Sequence, residues 1–114
     1  MDRNGPPGKG IQTLVRATGS EKLRDLGAMT GMRRLGLMQG RLESGGMDCE
    51  LPCLSRDEMF LQIIAGSGAL ECDGQRVALA AGDLLSLAHP DSAPILRNTG
   101  ESPLVWFMGS HALD

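Results

Sequence analysis

The sequence predicts an all-β domain in which short antiparallel strands form a sandwich or a barrel. From residue 57 onward, short apolar runs alternate with turn residues at intervals of roughly 8–10 positions, a spacing typical of such domains. The turn markers are Gly66, Asp73-Gly74, Ala81-Gly82, His89-Pro90 and Thr99-Gly100. In addition, Asp73-Gly74 stands between two apolar runs, which is a strong sequence signal for a β-hairpin.

The chain has 114 residues, the size of one ordinary domain. Residues 1–10 are rich in Gly and Pro, so we predict a disordered leader there and a single barrel domain over 11–114. Within that domain IQTLVRA (11–17) is predicted as a short strand. A short helix over 20–29 with Ser20 as its N-cap comes next, and a structured loop fits almost as well.

Residues 32–43 (MRRLGLMQGRLE) predict a further strand, in which Gly36 and Gly40 are interpreted as bends or bulges. Gly66 and Gly68 are expected to take left-handed or bulged backbone geometry where strands bend. Asp83 is interpreted as a turn residue whose carboxylate accepts backbone N–H groups.

Composition excludes several classes of function. The net charge is −3 and only 3% of the residues are aromatic, so neither phosphate attraction nor base stacking supports nucleic-acid binding. No apolar stretch is long enough for a membrane helix, and the N-terminus lacks the apolar region of a secretory signal. Three cysteines form no even-numbered disulfide framework, so we expect a cytoplasmic protein.

Several segments together resemble the cupin superfamily, small jelly-roll barrels (double-stranded β-helices) of two facing antiparallel sheets. The resemblance runs from about Gly46 to Met108. Residues 57–75 (DEMFLQIIAGSGALECDGQ) resemble the strand–Gly–strand–turn core of the family. Residues 81–87 (AGDLLSL) resemble the opening of its second motif, and Asn98 with the TGESPLV after it resembles the end of that motif.

The resemblance implies a metal site of three histidines and one glutamate, and the sequence departs from it at every one of those positions. With one motif spacing the first two histidine positions are Pro52 and Leu54, and with the other they are Cys53 and Ser55. The glutamate position is Met59 in both. The third histidine position falls at Ala93 or Pro94. We therefore predict a cupin without a metal cofactor, because Pro and Leu offer no lone pair to a metal ion.

A soft-metal alternative remains open, in which Cys53 and Met59, with Cys49, bind copper(I) or zinc. Buried packing of these side chains is the competing interpretation. The two histidines, His89 and His111, are interpreted as surface residues, although His89 lies in a turn near the predicted barrel mouth.

If the barrel lacks a metal ion, apolar side chains line its interior, with half of each strand's residues facing inward. By motif position and pattern, the expected interior and ligand-binding residues are Pro52, Leu54, Met59, Phe60, Pro94 and Trp106, with Ile64 and Leu87. The expected polar residues at the mouth are Glu58, Arg97 and His89.

These features favour a metal-free cupin-like protein that binds a small apolar or sugar-like molecule, or that acts as a sensor or partner module. The alternatives are a cupin-fold isomerase, epimerase or dioxygenase-like enzyme with an atypical site in the barrel, and a structural protein with a filled barrel. Because unpaired jelly-roll edges favour strand pairing, we also expect a homodimer formed through strand 11–17.

Overall fold

The computed structural model describes residues 23–32, 34–51, 58–88 and 91–111. The predicted leader over 1–10, the predicted strand over 11–17, the motif positions 52–55 and the His89-Pro90 turn all lie outside the described residues, so they stay predictions.

The described residues form two antiparallel sheets, which confirms the predicted all-β jelly-roll fold. One sheet has five strands in the order β1-β2-β9-β4-β7, and the other has four in the order β3-β8-β5-β6. In chain order the elements are β1 (Leu23–Asp25), α1 (Leu26–Thr30), β2 (Leu35–Leu42), β3 (Asp48–Glu50), β4 (Glu58–Ala65), β5 (Ser67–Cys72), β6 (Gln75–Ala80), β7 (Leu84–Ala88), β8 (Ile95–Asn98) and β9 (Leu104–His111).

The predicted turns are confirmed where the structure describes them. Asp73 and Gly74 have φ values of 51° and 80° and join β5 to β6, as a tight hairpin turn requires. Gly66 has a φ of 86°, a left-handed conformation that glycine adopts without strain. An Asp83 carboxylate oxygen accepts the Ala80 N–H at 2.8 Å, which closes the turn between β6 and β7.

The N-terminal helix is present but starts later than predicted. Residues 23–25 are extended and pair with β2, and α1 begins only at Leu26. Its N-cap is Asp25, whose carboxylate accepts the Ala28 N–H at 2.9 Å, and not Ser20. Gly31 ends the helix with a φ of 75°. Since α1 is the one helix of the described residues and has five residues, no described helix is long enough to cross a membrane.

The predicted bends at Gly36 and Gly40 are wrong. All eight residues of β2 pair with β9 in an uninterrupted register, so β2 has neither a bulge nor a break. The irregularity lies instead between Ile63 and Ala65 in β4, where the register with β9 shifts. This bulge precedes Gly66 and turns the chain from the five-stranded sheet into β5 of the other sheet.

The hydrophobic core lies between the two sheets. Alternate residues of the central strands β4 and β9 face inward, as the two-residue period of a strand requires. The buried apolar cluster consists of Leu42, Leu51, Met59, Leu61, Ile63, Leu70, Leu79, Leu96, Leu104, Trp106 and Met108.

Candidate functional site

The interior between the two sheets is the candidate binding site, and its described side chains are mostly apolar. Along β9, Leu104, Trp106 and Met108 are buried, and β4 sets Ile63 and Leu61 directly opposite Trp106 and Met108. Among the described residues, the buried polar side chains are those of Asn98 and Ser110, and none of the buried side chains carries a charge. The described part of the interior therefore offers dispersion contacts and few hydrogen-bonding groups.

The indole nitrogen of Trp106 is a buried polar atom that needs separate description. Its side chain is 1% exposed, and among the described residues its indole Nε1 is the buried side-chain nitrogen or oxygen without a hydrogen-bond partner. The ring lies across Gly40, its direct partner in the β2–β9 pairing. A buried donor without a partner costs free energy, so its position calls for a physical explanation.

Asn98, in contrast, has a structural role that accounts for its burial. Its Nδ2 donates to the Leu42 carbonyl at 3.0 Å and to the Ser102 carbonyl at 2.9 Å, and its Oδ1 accepts the Gly100 N–H at 2.9 Å. These bonds tie the end of β8 to β2 and to the following turn. The residue at the end of the second motif therefore serves the fold, because its amide is fully engaged by the backbone.

Three of the residues predicted to line the interior are buried as expected. Met59 is 3% exposed and faces inward beside Ser110, and Trp106 lies at the centre of β9. Pro94 is fully buried just before β8, and its carbonyl accepts the Leu51 N–H at 2.8 Å. Pro52 and Leu54 lie outside the described residues.

For Phe60 the prediction of an interior position is wrong. Phe60 follows Met59 in β4, and consecutive strand residues face opposite sides of a sheet. Its ring lies on the outer side and meets Phe107 edge to face, with 5.6 Å between ring centroids. Ile64 is likewise 52% exposed, at the bulge, and does not belong to the interior. Leu87 is half-buried and packs against the core as expected.

The predicted polar mouth residues do not converge on one point. Glu58 is exposed on the outer side of the five-stranded sheet. Arg97 is exposed on the outer side of the other sheet, where its guanidinium contacts Asp48 at 3.0 Å, because its neighbours Leu96 and Asn98 take the inward positions. The proposed grouping of Glu58 with Arg97 is therefore wrong, and His89 lies outside the described residues.

An outer groove that the sequence did not indicate brings other polar groups together. It has a volume of about 430 Å³ and lies at one end of β4, β7 and β9. Its lining includes Glu58, Phe60, Ser86, Gly109 and His111. Strand alternation alone would place Glu58, Phe60 and His111 on the outer side, but the pairing of β4 with β7 and β9 is needed to bring them together.

The residues present do not fit the metal site that the resemblance implies. A set of three imidazoles cannot be built from two histidines, and His111 is exposed at the outer end of β9. Met59 presents a thioether where the motif has a carboxylate. Among the described residues no three His, Cys, Asp or Glu side chains cluster as metal ligands would.

The soft-metal alternative loses support at Cys49. Its side chain is half-buried and packs against the core. Burial and the neighbouring Asp48 carboxylate raise the pKa of the Cys49 thiol, which keeps it protonated at neutral pH. Metal ions bind the thiolate, so this environment works against coordination. Cys53 lies outside the described residues.

Several solved structures have an architecture similar to this one. No protein-family model matches the sequence, and no curated protein does. Among solved structures, a cupin protein from Bacteroides fragilis is similar with a TM-score of 0.70 and 20% identity, covering 91% of this chain and 86% of that one. A cupin superfamily protein from Desulfitobacterium hafniense has a TM-score of 0.61 and 14% identity, with 98% and 97% of the two chains covered.

A structure described as a putative sugar phosphate isomerase, from Acidithiobacillus ferrooxidans, has a TM-score of 0.63 and 21% identity. The similar region covers 81% of this chain and 59% of that chain. At these identities the similarity concerns the fold. The two facing sheets, their strand order and these neighbours agree: the chain has the cupin fold.

Proposed function

We propose that this protein is a binding cupin that works without a resident metal ion. It takes up a small, mostly apolar molecule between its two sheets. The observation that carries the proposal is the Trp106 indole N–H, a buried donor without a described partner in an otherwise apolar lining. Small-molecule sites are built in this way, from apolar walls and a few placed polar groups.

The chemistry of the lining specifies the class of ligand. A carbonyl or ether oxygen on an apolar body would accept the Trp106 N–H and remove the cost of that unpaired donor. Met59 and Met108 face the same interior, and their flexible thioether side chains can repack around an incoming molecule. A polyhydroxylated sugar is a poorer match, because the described lining leaves most hydroxyl groups without partners.

An isomerase or another acid–base enzyme is the competing function, since proteins described as sugar phosphate isomerases share this fold. Such chemistry needs an ionisable side chain in contact with the substrate. The buried side chains that the structure describes include none. The described side chains of the interior therefore support binding there in preference to catalysis.

The single tryptophan makes the proposal directly measurable, because the protein has one indole N–H resonance in a ¹H–¹⁵N correlation spectrum. We would titrate the protein with cyclohexanone, an apolar ring with one carbonyl acceptor, and with toluene, which lacks a hydrogen-bonding oxygen. Cyclohexanone is expected to move the indole resonance downfield in a saturable manner, and toluene to move it much less. An indole resonance that cyclohexanone leaves unchanged would overturn the proposal.

Trp106→Phe supplies the matched control, because it keeps an aromatic ring and removes the donor. By calorimetry, this variant should bind cyclohexanone about fivefold more weakly, the value of one neutral hydrogen bond, and toluene with little change. Equal weakening for both probes would assign Trp106 a packing role alone and would contradict the proposed hydrogen bond.

A further inference from the structure

The outer groove at one end of β4, β7 and β9 has a chemistry that the proposed interior site does not use. Its volume is about 430 Å³, within the range of small-molecule sites, and the structure describes every residue that lines it. Its polar side chains lie on the outward side of the five-stranded sheet, whereas Trp106 faces the interior. A ligand in this groove is therefore separate from one between the sheets.

The strand register brings three polar side chains to this groove. Met59 pairs with Ser110 in the antiparallel ladder of β4 with β9. Glu58 and His111 are one residue further along these two strands, so they stand side by side on the outward face. Ser86 of β7 lies diagonally across from Glu58, at the roughly 7–8 Å that separates such neighbours on adjacent strands. A carboxylate, an imidazole and a hydroxyl therefore border one groove.

Phe60 and Gly109 form the floor of the groove. They are direct partners in the β4–β9 ladder, and a Cβ built on Gly109 would lie 2.7 Å from Cε2 of Phe60 and 2.8 Å from Cδ2 of Leu37. These two side chains therefore cover the glycine, and the Phe60 ring is held edge to face against Phe107. The result is an apolar floor on which the hydrocarbon part of a ligand can pack.

The carboxylate of this groove has no cationic partner among the described residues. Elsewhere in the described chain arginines pair with acidic side chains, as Arg97 does with Asp48 at 3.0 Å. Glu58 forms no such pair, and no described side chain engages the His111 imidazole or the Ser86 hydroxyl. A carboxylate oxygen, a neutral imidazole nitrogen and a hydroxyl oxygen all accept hydrogen bonds. The groove therefore matches a cation that carries several donors.

We infer that the outer groove binds a primary ammonium ion attached to a short apolar body. A primary ammonium group has one positive charge and three N–H donors, which match one carboxylate and two further acceptors. Its hydrocarbon part packs on the ring of Phe60. A carboxylate or phosphate ligand meets Glu58 with like charge, and a purely apolar molecule makes no use of the three polar groups. The inference does not rest on the proposed function, because it concerns other residues.

The test titrates the full ¹⁵N-labelled chain with three matched probes at about pH 8, where free imidazole is neutral. 2-Phenylethylamine carries the ammonium group, 3-phenylpropionate reverses the charge, and trimethyl(2-phenylethyl)ammonium keeps the charge without N–H donors. 2-Phenylethylamine is expected to shift the Gly109 and Ser110 amide resonances in a saturable manner. The trimethyl analogue should bind at least about fivefold more weakly, because it makes no hydrogen bonds, and 3-phenylpropionate should produce no saturable shift.

Glu58→Gln and Glu101→Gln make the same change of charge at two places. Glu101 is exposed between β8 and β9, at the opposite end of β9 from His111. Glu58→Gln should weaken the binding of 2-phenylethylamine by at least about fivefold, because it removes the charge that faces the ammonium group. Glu101→Gln should leave the binding within about twofold. Circular dichroism verifies that both variants are folded.

The inference is overturned if 2-phenylethylamine causes no saturable shift up to about 10 mM, ten times a dissociation constant of 1 mM. Equal weakening by Glu58→Gln and Glu101→Gln also overturns it, as does binding of either analogue as tight as that of the amine. An amine that shifts the Trp106 indole resonance in place of Gly109 binds in the interior, which again contradicts it. Because cyclohexanone reports on Trp106 and the amine on Gly109, the two proposals can fail separately.

Discussion

Gly40 and Trp106 are direct partners in the pairing of β2 with β9, and the indole ring occupies the space that a side chain at Gly40 would need. A Cβ built at Gly40 overlaps the ring atoms Cζ2, Cε2 and Cη2 of Trp106. The glycine therefore serves the packing of the interior, because it lets the largest buried side chain lie flat against the sheet.

Gly40→Ala should destabilise the protein by about 3 kcal/mol, at the upper end of the cost of overpacking a core. The cause is steric, because Trp106 is held by Ile63 on the neighbouring strand and cannot move aside freely. The measurement is the free energy of unfolding from urea titration followed by circular dichroism.

The Trp106→Phe background tests that cause. Phe lacks the benzo portion of the indole, so Gly40→Ala should cost at least about 1 kcal/mol less in that background than in the wild type. An equal cost in both backgrounds would show that the effect of the substitution does not arise from the contact with Trp106.

The sequence identified the fold through its turns but misplaced the features that depend on packing. Asp73-Gly74 and Gly66 are recognisable because a left-handed backbone favours Gly, Asn and Asp locally. Gly40 is not recognisable in this way, because a glycine that makes room for a ring on the neighbouring strand looks the same in sequence as one that bends the chain.

The candidate site could be predicted only in part, because the direction of each side chain also depends on packing. Met59 and Phe60 are both apolar, so alternation of polarity cannot decide which one faces inward. The edge-to-face contact between the rings of Phe60 and Phe107 on the outer side shows that Phe60 faces outward. Periodicity in β4 is partly concealed because Phe60 and Ile64 lie on its outer face, while the buried position of Trp106 agrees with the prediction.

Asn98 provides a second stability prediction. Asn98→Asp replaces the donating amide by a carboxylate oxygen that faces the Leu42 and Ser102 carbonyls. We expect a loss of about 3 kcal/mol at neutral pH, because a buried charge loses its hydration and meets two acceptors.

The pH dependence of Asn98→Asp distinguishes charge from shape. Burial favours the neutral acid and raises the folded-state pKa of the new carboxyl, so the loss should diminish as pH falls toward its unfolded pKa of about 3.9. Urea titrations at several pH values measure this, and a loss that is the same at pH 4 and pH 7 would contradict the electrostatic explanation.

Asp73 links the β5–β6 hairpin to the segment before β8. Its carboxylate accepts the Asp91 N–H at 2.9 Å and the Ser92 N–H at 3.0 Å, and the Ser92 hydroxyl donates to it at 2.8 Å. The bond from Asp91 and those from Ser92 lower the pKa of Asp73 from its ordinary value of 3.8. The stabilisation is therefore present above pH 3.8 and is lost as pH falls through the lower folded-state value.

Asp73→Asn should accordingly lower the urea midpoint at neutral pH and converge with the wild type in acid. Asn tolerates the left-handed conformation of this turn, so the comparison isolates the charge. Ser92→Ala, which removes one donor, should produce a smaller change of the same sign. A difference between Asp73→Asn and wild type that persists unchanged below pH 3 would refute this assignment.

Metal content is the fourth prediction. Protein purified under native conditions without added metal should contain far less than one equivalent of iron, manganese, nickel or zinc per chain, because two histidines cannot form the three-imidazole site. Elemental analysis by mass spectrometry measures this, with a metal-binding cupin purified in parallel as a positive control. One bound metal ion per chain would contradict the prediction.

The most direct test of metal-free binding is the cyclohexanone titration of the Trp106 indole resonance, performed before and after removal of metals with EDTA. The account predicts the same downfield shift and the same dissociation constant in both samples, because the Trp106 N–H and the apolar walls provide the binding. A response that EDTA abolishes, or no response in either sample, would contradict it.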